Sequence, residues 1–508
     1  MRNRFERINS IFHFIGDLVG ALGILLLLPL VCVLLYWDQF GEGLVTVYAF
    51  ALPAMLCFLL CLLLNRLFKP IPLDSTGSML ICALSWIIIS ALGALPFVIG
   101  IKASYLNSYF EAMSGFTTTG ITVFTGLDQM PRSILFWRSV TQWLGGTGIL
   151  SFYLVVMFEG GGSHHILGAE SHKITSGRPA PGLINTLKIV WGLYAGFTFL
   201  AAVCYALEGM PYFDAICHAL TTLSTGGFSP HDTSIEFYRL NGFAHFRLIE
   251  YTVAFFMMLG GINFLIHFRV CLGDFKALWD NAETRYWWYF LSGFTLLIMF
   301  DHLYRHGHLF ALFVNPAQLS FAVIERAFRL SIFQVLGCLT TTGFGTQDIG
   351  SSFFPALSKQ LFLVMMVIGG CVGSTGGGFK VQRIVILLRL MFRELFRLRV
   401  PSTASASLII DGRVIEDDDI HRVSALFFTW IALITFGGLV TALLSSHGPL
   451  ASISGMFSAV GNIGPCYISV AEMVVIHPLI KLTYILGMLA GRLEILPVLL
   501  LFSRKAWS

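Results

Sequence analysis

Four short segments of this 508-residue chain combine small hydroxyl residues with a glycine and are embedded in apolar sequence. Aligned on the glycine, they are Thr117-Thr118-Thr119-Gly120-Ile121, Ser224-Thr225-Gly226-Gly227-Phe228, Thr340-Thr341-Thr342-Gly343-Phe344 and Gly461-Asn462-Ile463-Gly464-Pro465. Their glycines lie 107, 116 and 121 residues apart. This spacing indicates a fourfold internal repeat.

The four segments could bind a cation through backbone carbonyl oxygens. Inside a membrane, extended backbone is tolerated only where it is buried in protein or lines a watery cavity, and there its carbonyls can replace the hydration shell of an ion. Neutral carbonyl dipoles suffice for a large, weakly hydrated cation, so no carboxylate is required. Glycine permits the backbone angles that turn carbonyls toward a common axis. We predict a filter formed by Thr118, Thr119, Gly120, Thr225, Gly226, Gly227, Thr341, Thr342, Gly343, Asn462, Ile463 and Gly464.

The fourth segment departs from the other three. It has Asn462 and Ile463 where the others carry small hydroxyl or glycine residues. Its contact with an ion is therefore expected to depend on backbone carbonyls alone.

A glycine-rich run after the third segment is a second candidate site. Six of the ten residues from Gly369 to Gly378 are glycine. Each glycine costs a helix about 1 kcal/mol relative to alanine, so we predict an intramembrane loop that breaks the third inner helix. Pairs of small residues at a similar distance after the other filter glycines are interpreted as close helix packing; they are Gly145-Gly146, Gly260-Gly261 and Ala490-Gly491.

Arg492 directly follows the last of these pairs, at the depth of the glycine run. An arginine at mid-membrane costs from about 2.5 to more than 10 kcal/mol unless it faces water or a partner, so it should point inward. Pairing with Glu494 and pairing with loop carbonyls both stay open. We predict a gate that obstructs the conduit below the filter, formed by Gly369, Gly370, Gly373, Ser374, Thr375, Gly376, Gly377, Gly378 and Arg492.

Each filter segment belongs to a unit whose parts we name outer helix, pore helix, filter segment and inner helix. The predicted bounds are 76–100, 106–117, 118–123 and 132–158, then 183–207, 212–223, 224–229 and 244–270, then 285–304, 328–340, 341–346 and 356–398, and finally 421–446, 450–461, 462–466 and 473–502. Two further apolar spans, 14–36 and 44–64, precede the repeats. The predicted domains are 1–74, 75–182, 183–284, 285–420 and 421–508.

The composition is that of an integral membrane protein. Hydrophobic residues make up 56% of the chain and charged residues 12%, against about 25% charged in soluble domains. We predict an all-α polytopic membrane protein with four pseudo-symmetric repeats around a central pore, preceded by two extra transmembrane helices. Most of the 32 Lys and Arg lie in loops that share one side if the N-terminus is cytoplasmic. Both termini are then inside and the filter opens outward. The net charge of +4 indicates no nucleic-acid partner.

These motifs, in this order, resemble the TrkH-type subunits of the Trk/Ktr/HKT potassium-transporter superfamily over essentially the whole chain. Beyond the last three filter segments, the resemblance is carried by Phe110-Glu111-Ala112-Met113-Ser114-Gly115-Phe116-Thr117-Thr118-Thr119-Gly120 and Gly373-Ser374-Thr375-Gly376-Gly377-Gly378. It implies potassium as the transported substrate without an organic cofactor, a homodimer in membrane lipid, a bacterial cytoplasmic membrane and a cytoplasmic nucleotide-binding, TrkA-like regulatory subunit. The two extra spans favour the Trk branch over the Ktr branch.

Two other functions compete with channel-like conduction. An intramembrane enzyme would need a nucleophile, metal cluster or carboxylate pair, and the candidates His164, His165, Asp214 and His218 are better explained as loop or pore-helix residues. Glu111 and Asp214 are interpreted as pore-helix residues able to add negative potential at the mouth. A secondary transporter coupled to protons or sodium tends to show inverted repeats and intramembrane acids, whereas these repeats are parallel and poor in acids. Conduction driven by membrane potential is favoured, and ion coupling stays open.

A docking surface for the regulatory subunit is predicted between Lys380 and Arg422. This stretch carries Arg393, Arg397 and Arg399 together with the acidic run Glu416-Asp417-Asp418-Asp419. A solvated loop that follows the positive-inside rule is the alternative interpretation.

Overall fold

The structure is a computed structural model that describes residues 4–69, 75–159, 183–307, 321–399 and 407–507. Nearly all of its regular structure is helical, which agrees with the predicted fold class. A small hairpin lies in the stretch before the fourth outer helix, where Ile409–Ile410 pairs antiparallel with Arg413–Val414.

The two N-terminal spans form a helical hairpin beside the first repeat. Helix Arg4–Leu25 breaks before Leu30–Leu35, and Leu44–Leu67 runs back against it. The carboxylate of Glu42, in the turn, accepts hydrogen bonds from the backbone N–H of Ser133 (2.6 Å) and from its hydroxyl (2.9 Å). The hairpin is thereby attached to the first inner helix.

The four repeats follow with closely similar element order. The first consists of Ser75–Gly93, Leu95–Gly100, Tyr105–Phe116 and Arg132–Glu159, and the second of Leu183–Leu207, Tyr212–Leu223, Glu236–Leu240, Phe246–Gly261 and Phe264–Cys271. The third consists of Ala282–Arg305, Phe321–Leu339, Ala356–Val367 and Val381–Arg397, and the fourth of Asp417–Leu444, Pro449–Gly461, Val470–Val475, Pro478–Arg492 and Leu496–Leu501. Prolines at the first positions of Pro449–Gly461 and Pro478–Arg492 fix where those helices begin.

Within the described residues, five helical stretches are long and apolar enough to cross a membrane. They are Ile8–Leu35, Leu44–Leu67, Thr76–Gly100, Ile184–Leu207 and Asp417–Leu444. A sixth span is added if Phe246–Gly261 and Phe264–Cys271, which meet at a bend of 107°, are counted as one. The chain is therefore an integral membrane protein.

The inner helices correct one expectation. The third is broken between Val367 and Val381, as predicted, but the second and fourth are also broken, after Gly261 and after Arg492. Close packing was predicted at those two small-residue pairs, and their glycines do pack closely: a side chain on Gly261 would clash with Thr340, and one on Gly491 with the Val460 carbonyl. The breaks that follow the pairs were not predicted. The first inner helix continues through Gly145-Gly146 to Glu159.

The break in the second inner helix has a physical cause in the glycine run. The carbonyl of Gly261 accepts from the backbone N–H of Cys371 (2.9 Å), and that of Gly260 accepts from the backbone N–H of Thr375 (3.3 Å). These acceptors are used by the loop, and Asn263 then caps the next helix by accepting from the N–H of Leu265 (2.8 Å). The helix therefore changes direction where it meets the loop.

The buried apolar residues fall into two large clusters. One joins the N-terminal hairpin to repeats one and four, and the other joins repeats two and three. Ile463 of the fourth filter segment belongs to the second cluster, so the filter lies where the two halves meet.

Candidate functional site

The filter segments share one unusual backbone conformation. Their first residues, Thr118, Thr225, Thr341 and Asn462, have φ of +50°, +52°, +58° and +52°. The glycines two positions later, Gly120, Gly227, Gly343 and Gly464, have φ of +82°, +75°, +81° and +103°. The residue between them is outside the left-handed range in all four segments. Such alternation turns successive carbonyls toward one side, unlike a β-strand, and explains why glycine stands at the third position.

The four segments form a closed ring. A side chain placed on each of the first three glycines would clash with a carbonyl oxygen of the next segment, and one on the fourth would lie 3.1 Å from a carbonyl oxygen of the first. The glycine and carbonyl pairs are Gly120 with Gly226, Gly227 with Thr342, Gly343 with Ile463, and Gly464 with Thr119. Segments adjacent in sequence are therefore adjacent in the ring, and the fourth closes on the first.

The backbone of each segment is held from its own pore helix. The N–H of Thr119 donates to the Ser114 carbonyl (2.8 Å), that of Gly343 to Gly337 (2.9 Å) and that of Ile463 to Ser458 (3.0 Å). Among the described residues, Gln142 alone donates to a carbonyl of the predicted filter set, at Gly226 (2.6 Å). The other carbonyls of the set have no hydrogen-bond donor within the described ranges, and they lie next to the partly negative ends of the pore helices.

Threonine side chains brace the first and third segments. The hydroxyls of Thr117 and Thr119 lie 2.8 Å apart, and those of Thr340 and Thr342 lie 2.7 Å apart. In the fourth segment the Asn462 amide donates to the Thr119 hydroxyl (2.8 Å) and to the Met488 carbonyl (2.9 Å). The Asn462 amide nitrogen is used in packing, and its Oδ1 is buried with no hydrogen-bond partner among the described residues. Ion contact through backbone carbonyls alone stays a prediction for this segment.

Glu111 was expected to add negative potential at the mouth of the pore, but its charge is compensated. It is fully buried and forms an ion pair of 2.7 Å with Arg138 of the first inner helix. Its other oxygen accepts from the N–H of Val123 (2.9 Å), and Arg138 also donates to the Ser229 carbonyl (3.0 Å). The pair ties the first two filter loops together, and its charges cancel.

Asp214 takes part in a second link between these loops. His231, in the loop after the second filter segment and outside the spanning helices, contacts Asp214 (3.0 Å) and Asp128 (2.5 Å) through its two ring nitrogens. Burial disfavours the charged imidazole, but the hydrogen bonds to Asp214 and Asp128 outweigh this and raise the pKa of His231. A protonated His231 between two carboxylates offsets the negative charge predicted for Asp214.

The glycine run lies directly under the filter ring. Every residue from Ile368 to Val381 is buried. The N–H of Gly377 donates to the Thr341 hydroxyl (2.7 Å), and the Thr375 hydroxyl donates to the Leu223 carbonyl (2.8 Å). A side chain on Gly377 would also clash with Asn462. The loop therefore contacts the second, third and fourth repeats at the inner ends of their filter segments.

Arg492 joins this loop to the first repeat. Its guanidinium donates to the carbonyls of Thr375 (2.8 Å) and Gly145 (2.9 Å), and the side chain is 2% exposed. Of the two pairings left open by the sequence, the structure has the loop carbonyl. Glu494 instead accepts from Arg383 at 2.6 Å.

The loop is clamped where it begins and ends. Ile368 and Phe379 form an isolated parallel bridge, and the N–H of Val372 donates to the carboxylate of Glu283 (2.8 Å). Lys380 reaches back to the Gly376 carbonyl. The excursion from Gly369 to Gly378 is thus a single unit fixed at its base.

The structure brings together all four predicted filter segments and the predicted gate residues. It adds Gln142 and Arg138, two polar residues of the first inner helix that the sequence analysis did not single out. Polarity at such a position was the available signal, since a buried polar side chain needs a partner. His164 and His165 lie outside the described residues. In the described residues, no group of three His, Cys, Asp or Glu side chains is placed to hold a metal ion.

Comparison with known proteins identifies one family. Residues 49–508 match the model of the TrkH family, described as cation transport proteins. The chain is 32% identical over 506 residues to the Trk system potassium uptake protein TrkH of Vibrio parahaemolyticus, covering 98% of this chain and 99% of that protein. It is 32% identical over 508 residues to the protein of the same name from Escherichia coli, with the same coverage.

A solved structure agrees with these sequence matches. The crystal structure of the potassium transporter TrkH from Vibrio parahaemolyticus superposes with a TM-score of 0.83 at 28% identity, covering 99% of this chain and 100% of that one.

Proposed function

The chain belongs to the TrkH family of cation transport proteins, and on that basis we propose that it takes up potassium ions through a channel-like central pore. As a member of this family it is a membrane transporter and not an enzyme. The proposed substrate follows from the relatives, which are named potassium uptake proteins.

One observation carries the proposal of a filter. Four segments with alternating backbone handedness close into a ring, and nearly all of their carbonyls are unbonded within the described residues. A ring of neutral carbonyl dipoles suits a large, weakly hydrated cation, because the dipoles replace water without adding a fixed charge. We propose that Thr118 to Gly120, Thr225 to Gly227, Thr341 to Gly343 and Asn462 to Gly464 bind potassium.

We propose that the loop from Gly369 to Gly378 is the gate. It crosses beneath the ring, is buried, and is tied to two other inner helices by Arg492. Arg492 also places a positive charge next to the loop, which raises the barrier to a cation. Opening then requires the third inner helix to move and carry the loop with it.

The sidedness and the partners complete the proposal. By the positive-inside rule both termini face the cytoplasm of a bacterial cell, and the filter opens outward. The helix Val381–Arg397 continues from the loop and ends in exposed basic residues such as Arg397 and Arg399. We propose that a nucleotide-binding subunit docks on this stretch and that the transporter works as a homodimer in the bilayer.

Coupling to protons or sodium is the second candidate mechanism. Proton coupling would require an ionisable carboxylate along the path, and two of the buried acids, Glu111 and Glu250, are paired with Arg138 and Arg329. Paired carboxylates favour a structural role over a proton relay. Conduction driven by membrane potential, about 2.3 kcal/mol per charge at 100 mV, is the simpler account.

Flux into liposomes tests the proposal. The purified protein, reconstituted with a potassium gradient, should admit radioactive rubidium in preference to sodium, and uptake should follow the imposed membrane potential. Uptake that persists at zero potential but requires an inward proton or sodium gradient would favour the coupled mechanism. A preparation that admits neither potassium nor rubidium, with or without its regulatory subunit, would overturn the proposed function.

A further inference from the structure

The second filter segment differs from the other three at its middle position. The middle residues are Thr119, Gly226, Thr342 and Ile463, so only the second segment lacks a side chain there. The φ of Gly226 lies outside the left-handed range that favours glycine. Backbone freedom therefore does not explain this glycine.

Space explains it instead. A side chain at Gly226 would overlap the terminal amide of Gln142, which projects from the first inner helix and is fully buried. The amide nitrogen of Gln142 donates to the Gly226 carbonyl at 2.6 Å, and its oxygen accepts from the N–H of Phe228 at 2.9 Å. Gln142 thus holds the backbone on both sides of the filter glycine Gly227.

The other segments obtain this support in other ways. Segments one and three use their threonine pairs, and the fourth uses the Asn462 amide. Aligned on the small-residue pairs of the inner helices, the counterparts of Gln142 are Met257, Met366 and Gly487, none of which is polar. The glutamine therefore occurs only in the helix beside the segment that lacks its own side chain.

We infer that Gln142 is a specificity-determining positioning residue, which fixes the carbonyls of the second filter segment in place of the missing side chain. The inference rests on the proposed function of the ring as an ion filter. Because the Gly226 carbonyl also contacts Gly120, a loose second segment would disturb the first as well. Discrimination between potassium and sodium depends on where carbonyls are held and how many reach the ion. Loss of Gln142 should therefore lower selectivity more than it lowers total flux.

The test compares rubidium and sodium flux in liposomes for three variants. Gln142→Met, which copies the residue of the second and third inner helices, should lower the rubidium to sodium ratio about tenfold, since two hydrogen bonds to the filter are lost. Gln142→Glu keeps the size, and when ionised it cannot donate to the Gly226 carbonyl. Gln142→Glu should lower the rubidium to sodium ratio by a similar factor. If Gln142→Met does not insert into the membrane, Gln142→Glu still tests the inference.

The third variant is a reciprocal exchange. Gln142→Ala combined with Gly226→Thr recreates the hydroxyl pair of segments one and three, with Ser224 in the place of Thr117 or Thr340. It should recover much of the selectivity that Gln142→Ala alone loses. If Gln142 had only a structural role, the Gly226→Thr substitution on another element would not restore the rubidium to sodium ratio. Ser139→Ala is the matched control, because this buried hydroxyl bonds the Leu135 carbonyl within the same helix.

The outcomes separate this inference from the proposed function. If the parent is selective and both Gln142→Met and Gln142→Glu keep its ion ratio, the positioning role is wrong while the filter stands. If the parent itself does not discriminate between rubidium and sodium, the filter is wrong and the inference is lost with it. Failure of the exchange to restore the ratio also counts against the positioning role.

Discussion

The guanidinium of Arg492 donates to the carbonyl oxygen of Thr375 at 2.8 Å, across 117 residues of sequence. A second nitrogen of the same guanidinium reaches the Gly145 carbonyl, so one side chain joins the fourth inner helix, the glycine loop and the first inner helix. A buried arginine with only carbonyl partners keeps its positive charge uncompensated by any carboxylate in this contact. This contact fixes the loop and places a cation beside the proposed path.

Removing this contact should open the gate. We expect Arg492→Ala, or deletion of two of the glycines from Gly376 to Gly378, to raise potassium flux measured without the regulatory subunit. Two like charges about 6 Å apart at an effective dielectric near 20 repel by roughly 3 kcal/mol, which corresponds to about a hundredfold in rate. For Arg492→Ala the ratio of potassium to sodium flux should not change, because Arg492 donates to the carbonyls of Thr375 and Gly145, which lie outside the filter set. Rubidium uptake into liposomes measures both quantities.

Arg389→Ala is the control for this experiment. Arg389 lies exposed on the helix after the loop, and its substitution removes the same charge as Arg492→Ala. It should leave the flux at the parent value. If both gate variants fold, insert and conduct no better than the parent, the gate lies elsewhere.

Gly120→Ser should weaken ion selectivity. The added side chain would clash with the Gly226 carbonyl of the next segment, and the φ of +82° is strained for serine. We expect the potassium to sodium ratio to fall about tenfold in flux assays. Gly126→Ser is a matched control, since Gly126 also has a positive φ (+73°) but no atom within 4 Å of the added carbon. Equal losses in both variants would mean that strain, and not the ring, sets the ratio.

Stability should depend on pH through His231. Its pKa is raised in the folded protein, because the hydrogen bonds to Asp214 and Asp128 outweigh burial. The stabilisation is therefore fully present below the unfolded pKa, about 6.5, and is lost as pH rises through the higher folded pKa. We expect His231→Gln to destabilise the protein by on the order of 1 kcal/mol at pH 6 and by less at pH 9.

Thermal unfolding in detergent across this pH range measures the effect. His421→Gln, at an exposed position, serves as the control and should leave the pH profile of the parent intact. A His231→Gln variant whose profile matches the parent at every pH would remove His231 from this role.

Charge reversal should weaken docking of the regulatory subunit. Arg397 and Arg399 are exposed at the end of the helix that leaves the glycine loop. If this stretch is the docking surface, Arg397→Glu with Arg399→Glu should weaken binding of the nucleotide-binding subunit at least tenfold in a pull-down titration. Arg247→Glu, exposed at the start of the second inner helix, should bind as the parent does. Unchanged binding in the double variant would favour the solvated-loop interpretation.

Much of this architecture could be predicted from sequence because it depends on local composition. Apolar stretches of membrane length, the glycine in each filter segment, and the glycine run all act through backbone conformation or solvent transfer, which depend on neighbouring residues. The repeat could be detected because equivalent positions recur at similar spacing. The break at Gly369 followed from six glycines in ten residues.

The remaining features depend on contacts between distant residues. Gly260-Gly261 has the sequence of a helix-packing pair. In the fold, the glycine loop donates hydrogen bonds to its carbonyls, and the helix bends by 107° there. Glu111 was interpreted from sequence as a free acid, but in the fold it forms an ion pair of 2.7 Å with Arg138. Gln142 stands out locally only as a polar residue in a membrane helix, because its role exists only beside a glycine 84 residues later. Local sequence is enough to identify the backbone segments able to line a pore. The polar side chains that hold these segments are set by the fold, since a hydrogen bond depends on distance in space.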